Sequence, residues 1–206
     1  MKKIAIVGCK GKMGKLIFKA LEKEFEVFGI DVGDSFDNLP ELDLIIDFAS
    51  HESSVKSAEF ALKNGVSIII GSTGQTREEN ARINEISQQI LVVKQSNFSR
   101  GIEVLKNFID EVLKLNPDRL EINEKHHTGK RDSPSGTALE LQDYIKKSFS
   151  GEIKISCVRE GEEMGEHEVV AFVGDEKLSA KHNVFSRDAF VRGVVYQTKK
   201  ILNLKM

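Results

Sequence analysis

His126 and His127 stand side by side, Lys130 follows closely, and Ser135, Gly136 and Thr137 come next, all within the stretch INEKHHTGKRDSPSGTALELQDYI. A histidine exchanges protons near neutral pH. The ammonium of Lys130 can donate a proton or stabilise negative charge as it develops on a substrate. Ser135, Gly136 and Thr137 sit where a helical pattern begins, and Pro134 restricts the residue before it to an extended conformation. Backbone N–H groups and hydroxyls at a helix start can hold a carboxylate or a phosphate. Each feature alone has an ordinary explanation: a surface histidine, a solvated Lys130-Arg131 pair, a simple N-cap. Packed into one loop, they describe a site that grips an anionic small molecule and protonates it.

A second constellation lies at the N-terminus. GCKGKMG follows a short apolar run and opens a helical pattern, with Gly8, Gly11 and Gly14 spaced G-x-x-G-x-x-G and Lys10 at the commoner second glycine position. Glycines there let a pyrophosphate approach the unpaired N–H groups of a helix start. Asp31 closes the second apolar run, where a carboxylate can accept hydrogen bonds from the adenosine ribose hydroxyls. A carboxylate there repels the extra phosphate of NADPH, while Lys10 and Lys12 attract it; the expectation is set toward NADH. Three further stretches fall at the carboxyl ends of strand-like runs, where open α/β sheets bind ligands: Asp47-Phe48, then Gly71-Ser72-Thr73, then QSNFS from Gln95.

The elements that must position these groups follow from periodicity. KKIAIV, FEVFGID, LDLIIDFA, VSIIIG and ILVVKQ read as strands, with helical segments between most of them. Such alternation implies right-handed crossovers and a parallel sheet. The pattern then changes. RGIEVLKNFIDEVLKLN is an amphipathic helix, RLEINEK alternates as a half-exposed strand, and TALELQDYIKKSF is a helix carrying Ala138, Leu141, Ile145 and Phe149 on one face. EIKISCV, HEVVAFVG and KLSAKHNV are strands, the last two joined as a hairpin through Gly174-Asp175, and RDAFVRGVVYQTKKIL closes the chain as a helix. The fold class expected is α/β: a parallel-sheet nucleotide lobe from residues 1–98 and 187–206, and an α+β mixed-sheet substrate lobe from 99–186.

Composition narrows the function classes. Over 206 residues, 40% hydrophobic and 30% charged with a net charge of -2, the chain reads as globular, without the basic excess of a nucleic-acid binder. The two cysteines, Cys9 and Cys157, are too few and too far apart for a disulfide framework or a zinc site, and no Asp/Glu/His set has metal spacing. No apolar run reaches membrane-spanning length. The expectation is a cytoplasmic protein with neither nucleic acid, membrane nor metal as partner. Hydride from a nicotinamide and a proton from the enzyme together reduce a C=N, C=C or C=O bond.

At these residues the sequence resembles the dihydrodipicolinate reductase (4-hydroxy-tetrahydrodipicolinate reductase) family. EKHHTGKRDSPSGTA matches the family signature E-x-H-H-x-x-K-x-D-A-P-S-G-T-A, with serine at 133 where alanine is usual. VGCKGKMG, DFAS, GSTG, SNFS and a late GEH…F…H…SR…F also match in order. The resemblance implies a Rossmann-like nucleotide lobe, a substrate lobe that pairs in a homotetramer, and reduction of a dicarboxylate in the diaminopimelate route to lysine with NADH or NADPH. It implies His126 as the acid, Lys130 as an aid to protonation and a substrate ligand, and His127, Ser135, Gly136 and Thr137 as the dicarboxylate grip. For the cofactor it implies Gly8, Cys9, Lys10, Gly11, Lys12 and Met13, with Asp31, Asp47 and Phe48. Gly71, Ser72 and Thr73, then Gln95, Ser96, Asn97 and Phe98, and finally Arg187 and Phe190 complete that set. Two departures stand out: VGDSFDNLPE, between the second and third strands, is too brief for a full helix, and Gln95 replaces a usually small residue. Two other readings remain open: another NAD(P)H-dependent imine or carbonyl reductase, and a non-catalytic NADH-binding redox sensor.

Overall fold

Ile4, Ala5 and Ile6 are completely buried, and a run that is apolar on both faces makes β1 (Lys3–Val7) the interior of a parallel sheet. Around it lie β2 (Glu26–Ile30), β3 (Leu44–Asp47), β4 (Ser67–Ile70) and β5 (Val92–Lys94), in the order β2-β1-β3-β4-β5. All of these pairings are parallel. In this computed structural model, which describes residues 1–205, the sheet belongs to one of two compact units, residues 1–98 with 191–205; Ser99–Phe190 form the other. The second crossing thus falls at 190/191, one turn later than the change from strand to helix pattern at Arg187.

The chain runs from β1 through α1 (Lys12–Leu21) to β2 on one side, then crosses to β3 on the other side of β1. That reversal opens a crevice at the carboxyl ends of β1 and β3, the usual place for a ligand in such sheets. The stretch between β2 and β3 carries only a single 3₁₀ turn, Phe36–Asn38. α2 (His51–Asn64) is capped by Ser50, whose hydroxyl accepts from Ser53 N–H, and ends at Gly65 in the left-handed region at φ 64°. α3 (Arg77–Ser87) begins with a capping box between Thr76 and Glu79. Successive strand residues face opposite sides. Ala5, Ile45 and Ile68 therefore pack with Ile83 and Ile86 of α3, while Ile4, Ile6, Leu44 and Ile46 pack with Ile17 and Leu21 of α1.

The second unit holds a mixed sheet of β6 (Arg119–His126), β7 (Glu152–Arg159), β8 (Gly165–Val173) and β9 (Glu176–Val184), in the order β7-β6-β8-β9. β6 runs parallel to β7 and antiparallel to β8, and β8–β9 is a hairpin turning through Gly174 at φ 54°. α4 (Arg100–Leu113) and α5 (Gly136–Lys146) bury Ile102, Leu105, Ile109, Ala138, Leu141 and Ile145 against Leu120, Ile122, Val169 and Ala171. α5 stops at Lys146, so Phe149 reaches the same core from the following turn rather than from the helix face expected of it. On the opposite sheet face Arg119 lays its guanidinium 3.5 Å from the centre of the Phe172 ring.

The last helix, α6 (Asp188–Ile201), returns Val191 and Val194 to the first unit's core beside Phe98. A Cβ at Gly193 would sit 1.5 Å from the Phe98 carbonyl oxygen, a backbone atom that cannot rotate away. Gly193→Ala is expected to cost about 1–3 kcal/mol through forced backbone shifts. A lowered thermal midpoint by circular dichroism is the expected reading, and an unchanged one would show that the helix slides freely.

Candidate active site

The glycine turn is shaped by close backbone approach. Gly8 adopts φ +81°, and a Cβ there would meet the Ala49 backbone at 2.8 Å, across the crevice between β1 and β3. A Cβ at Gly14 would lie 2.0 Å from the Gly8 carbonyl oxygen, so α1 starts pressed onto the turn. The first turn of α1, with Lys12 and Met13, has no side-chain N-cap bond and no acidic residue. Its N–H groups and positive dipole end are therefore suited to an anion. These features fit a dinucleotide pyrophosphate.

Asp31 completes this end of the sheet. Its carboxylate accepts from the Lys10 N–H at 2.7 Å and the Val32 N–H at 2.8 Å, and these backbone bonds hold its pKa below the ordinary value. The Cys9 thiol lies 3.9 Å away. A cavity of about 520 Å³ is lined by Gly8, Gly11, Asp31, Phe48, Ser50 and Lys56 among others, within the size range of small-molecule sites. Other members of the expected cofactor set are engaged differently. Asp47 is wholly buried and accepts from the hydroxyls of Ser57 at 2.6 Å and Ser53 at 3.1 Å; burial pushes its pKa up. Its carboxylate thus ties β3 to the start of α2. Phe48 fills the space over Gly71, where a Cβ would fall 2.2 Å from the ring, and tilts against Phe98 at 5.5 Å between centroids. Ser72 accepts from Gln75, Thr73 is exposed, and Gln95 donates its N–H to the Ile70 carbonyl. Ser96 and the buried Asn97 lead from there to Phe98. Arg187 and Phe190 lie in the second unit, where the Phe190 N–H donates to the Arg187 carbonyl at 3.0 Å.

The second constellation is built on β6. Burial alternates strictly along this strand, so Leu120, Ile122, Glu124 and His126 share the helix-covered face. The first two feed the core; the last two bring charge and proton chemistry to its end. His126 is 5% exposed, and its Nδ1 lies 2.6 Å from Glu124 Oε2 in a bent contact outside hydrogen-bond alignment. The other oxygen, Oε1, receives Arg159 Nη2 at 2.6 Å and the Ser135 N–H at 3.2 Å. His167 comes from β8, directly opposite Glu124 in the β6–β8 register, and its Nε2 lies 3.1 Å from Ser135 Oγ. Ser135 caps α5 by accepting from the Ala138 N–H. The Ser135-Gly136-Thr137 helix start is therefore fixed against the same buried cluster as His126. Lys130 pairs with Asp132 at 2.9 Å and closes a turn by donating its N–H to the His127 carbonyl. His127 follows the strand end, half-buried, its N–H on the Glu163 carbonyl.

Charge is unevenly shared here. Burial pushes the Glu124 carboxyl up, but Arg159, with Cys157, Ser135 and His126, outweighs it and holds the pKa at about 2. Burial lowers the pKa of His126, against the raising effect of Glu124 and with the lowering effects of Lys130 and Arg159. Burial also drives His167 to about 3, so its ring is neutral at any working pH. Donor atoms of Glu124, His126 and His167 lie within 4.8 Å of one another, a grouping that no sequence spacing announces. The Arg159 guanidinium already supplies a cation to the Oε1 side of Glu124. Glu124, Arg159 and His167 were not among the site residues expected from the sequence, although Glu124 opens the matched E-x-H-H signature, His167 ends the matched GEH, and Glu124 continues the buried register of Leu120 and Ile122.

Comparison with known proteins joins the two constellations. Residues 24–98 match the family described as dihydrodipicolinate reductase, N-terminus, and residues 101–205 match its C-terminus. A 4-hydroxy-tetrahydrodipicolinate reductase of Caldanaerobacter subterraneus is 32% identical over 237 aligned positions, covering 100% of this chain and 94% of the relative. Another, from Archaeoglobus fulgidus, is 30% identical and covers 97% of this chain and 93% of its own length. Both alignments are longer than the chain, so these relatives carry residues that it lacks. Among solved structures, a dipicolinate-bound dihydrodipicolinate reductase from Paenisporosarcina shares the fold at a TM-score of 0.75 and 19% identity, over 100% of this chain and 96% of that one. Among the described residues no helix is long and apolar enough to cross a membrane. With relatives at this identity along nearly its whole length, the chain belongs to the dihydrodipicolinate reductase family of NAD(P)H-dependent oxidoreductases.

Proposed function

We propose that this chain reduces 4-hydroxy-tetrahydrodipicolinate (dihydrodipicolinate) to tetrahydrodipicolinate in the diaminopimelate route to lysine. One observation carries the reading: a buried histidine and the Ser135-capped start of α5 are gathered at the end of β6, in a member of this family. A reduced nicotinamide, when bound, supplies the hydride. The chain's own residues do the rest. Gly136 and Thr137 hold substrate carboxylates at the α5 start, with Ser135 fixing that start and His127 beside it. Lys130 exchanges Asp132 for the substrate and stabilises charge as the ring accepts hydride. His126 delivers the proton. Its pKa is lowered in the free chain, and the two substrate carboxylates bring the negative charge that raises it again. Four such chains, paired through the open face of the second sheet in the cytoplasm, would form the working assembly.

The decisive assay supplies aspartate semialdehyde, pyruvate and the preceding synthase, and follows loss of reduced-nucleotide absorbance with NADH and NADPH in parallel. Oxidation of NADH with simple 2-oxo acids but not with the synthase product would favour a different reductase. Asp31 is assigned to the ribose hydroxyls and to the preference for NADH. Asp31→Ser is expected to tighten NADPH binding roughly tenfold by removing about 1–2 kcal/mol of like-charge repulsion, while NADH binding weakens. Fluorescence titration with both nucleotides checks this, and equal changes for the two would remove Asp31 from discrimination.

A further inference from the structure

Glu124 has a 0% exposed side chain between two cationic or protonatable partners, each at 2.6 Å: Arg159 on Oε1 and His126 Nδ1 on Oε2. The remaining titratable neighbours of His126 are Lys130, from the loop that leads to α5, and His167, edge-on from β8 with ring centroids 5.1 Å apart. Gly165, which carries no side chain, lies beside the other ring nitrogen, Nε2. We propose that Glu124 is a positioning residue for proton transfer: anchored by Arg159, its charge beside Nδ1 of His126 favours the neutral tautomer with the proton on that side and stabilises the imidazolium that donates from Nε2. Arg159 sets how much of the carboxylate's charge His126 receives. The inference rests on the proposed role of His126 as the acid, but its structural core concerns only the coupling of three side chains.

Purely structural support would behave differently. Burial lowers the His126 pKa, so any loosening of the site lets water in and moves its titration up toward the ordinary value of 6.5. Loss of the Glu124 charge moves it down. The test is ¹⁵N-histidine NMR of the full chain without substrate, with the His126 signals assigned by their loss in His126→Gln. In the wild type the neutral ring is expected to carry its proton on Nδ1. Glu124→Gln should lower the His126 titration by roughly one unit or more and relax the tautomer preference. Arg159→Gln should raise the titration. Glu124→Asp, which keeps the charge but draws it back, should lower it part of the way, and it serves if the Gln variant does not fold. A rise or no movement in the Glu124 variants overturns the proposal. Outcomes separate cleanly from the functional reading: shifted titrations in a chain that does not reduce the synthase product would keep the coupling and reject the reaction. Turnover with unmoved titrations would do the reverse.

Discussion

Replacing His126 with Gln is expected to lower kcat by roughly 10²- to 10⁴-fold, the usual worth of a positioned general acid, while NADH affinity stays within a factor of about two of the wild type. Glutamine fills similar space and keeps hydrogen-bonding atoms, but it cannot carry the proton. The glycine turn and Asp31, proposed to hold the nucleotide, belong to the first unit, whereas His126 belongs to the second. Lys130→Met should differ in kind. It removes a charge that both holds the dicarboxylate and stabilises the developing anion, so KM rises and kcat falls together. Steady-state rates against substrate, with nucleotide binding measured separately by fluorescence, distinguish the two patterns. The pH profiles carry a further signature. The kcat/KM profile reports the free enzyme, where burial holds His126 below 6.5, so its limb should fall on the acid side of that value. The kcat profile reports the bound state, where two substrate carboxylates favour the imidazolium, so the same limb should move to higher pH. Unchanged turnover in both variants would favour another proton-donating site, or the NADH-binding sensor, over the roles given to His126 and Lys130.

Much of this arrangement is legible in the sequence because its parts obey local rules. The runs at Ile4–Val7, Leu44–Ile46 and Ile68–Ile70 are continuously apolar because parallel strands are buried on both faces. The missing helix between β2 and β3 is likewise readable, since the thirteen residues there leave little room for a full helix with its two connections. Ser135 as the cap of α5 follows from its place before an apolar periodic segment. What the sequence does not announce is whatever depends on pairing between strands. Arg159 and His167 reach Glu124 only through the registers of β7 and β8 against β6, and spacing along the chain carries no information about either. Asp47 illustrates the same limit from the other side. A carboxylate at a strand end suggests a ligand, yet here two serines of α2 take it up, and only their three-dimensional placement reveals that use. The end of α5 at Lys146 instead of Phe149 reflects tertiary packing, since Phe149 can reach the same core without extending the helix.

The buried pair should also make the second unit sensitive to acid in a defined window. Glu124 is 2% exposed, and its pKa falls from 4.5 unfolded to about 2 in the folded chain. A depressed carboxyl contributes stability that is fully present above the unfolded value and is lost as pH falls toward the folded one. The shift corresponds to about 3 kcal/mol at neutral pH, comparable to the roughly 3–5 kcal/mol cost of breaking a buried ion pair by removing one partner. Glu124→Gln is therefore expected to lower unfolding free energy by about that amount at pH 7, and by progressively less below about pH 4.5, converging on the wild type near pH 2. Urea unfolding at a series of pH values, read as wild type minus variant, isolates this one group from the other carboxylates that titrate in the same range. A difference that stays constant from pH 7 to pH 3 would mean that the glutamine disturbs packing and that the charge of Glu124 contributes nothing to stability. A difference that shrinks on acidification would show that the contact with Arg159 stabilises the site as an ion pair, the state in which Glu124 can act on His126.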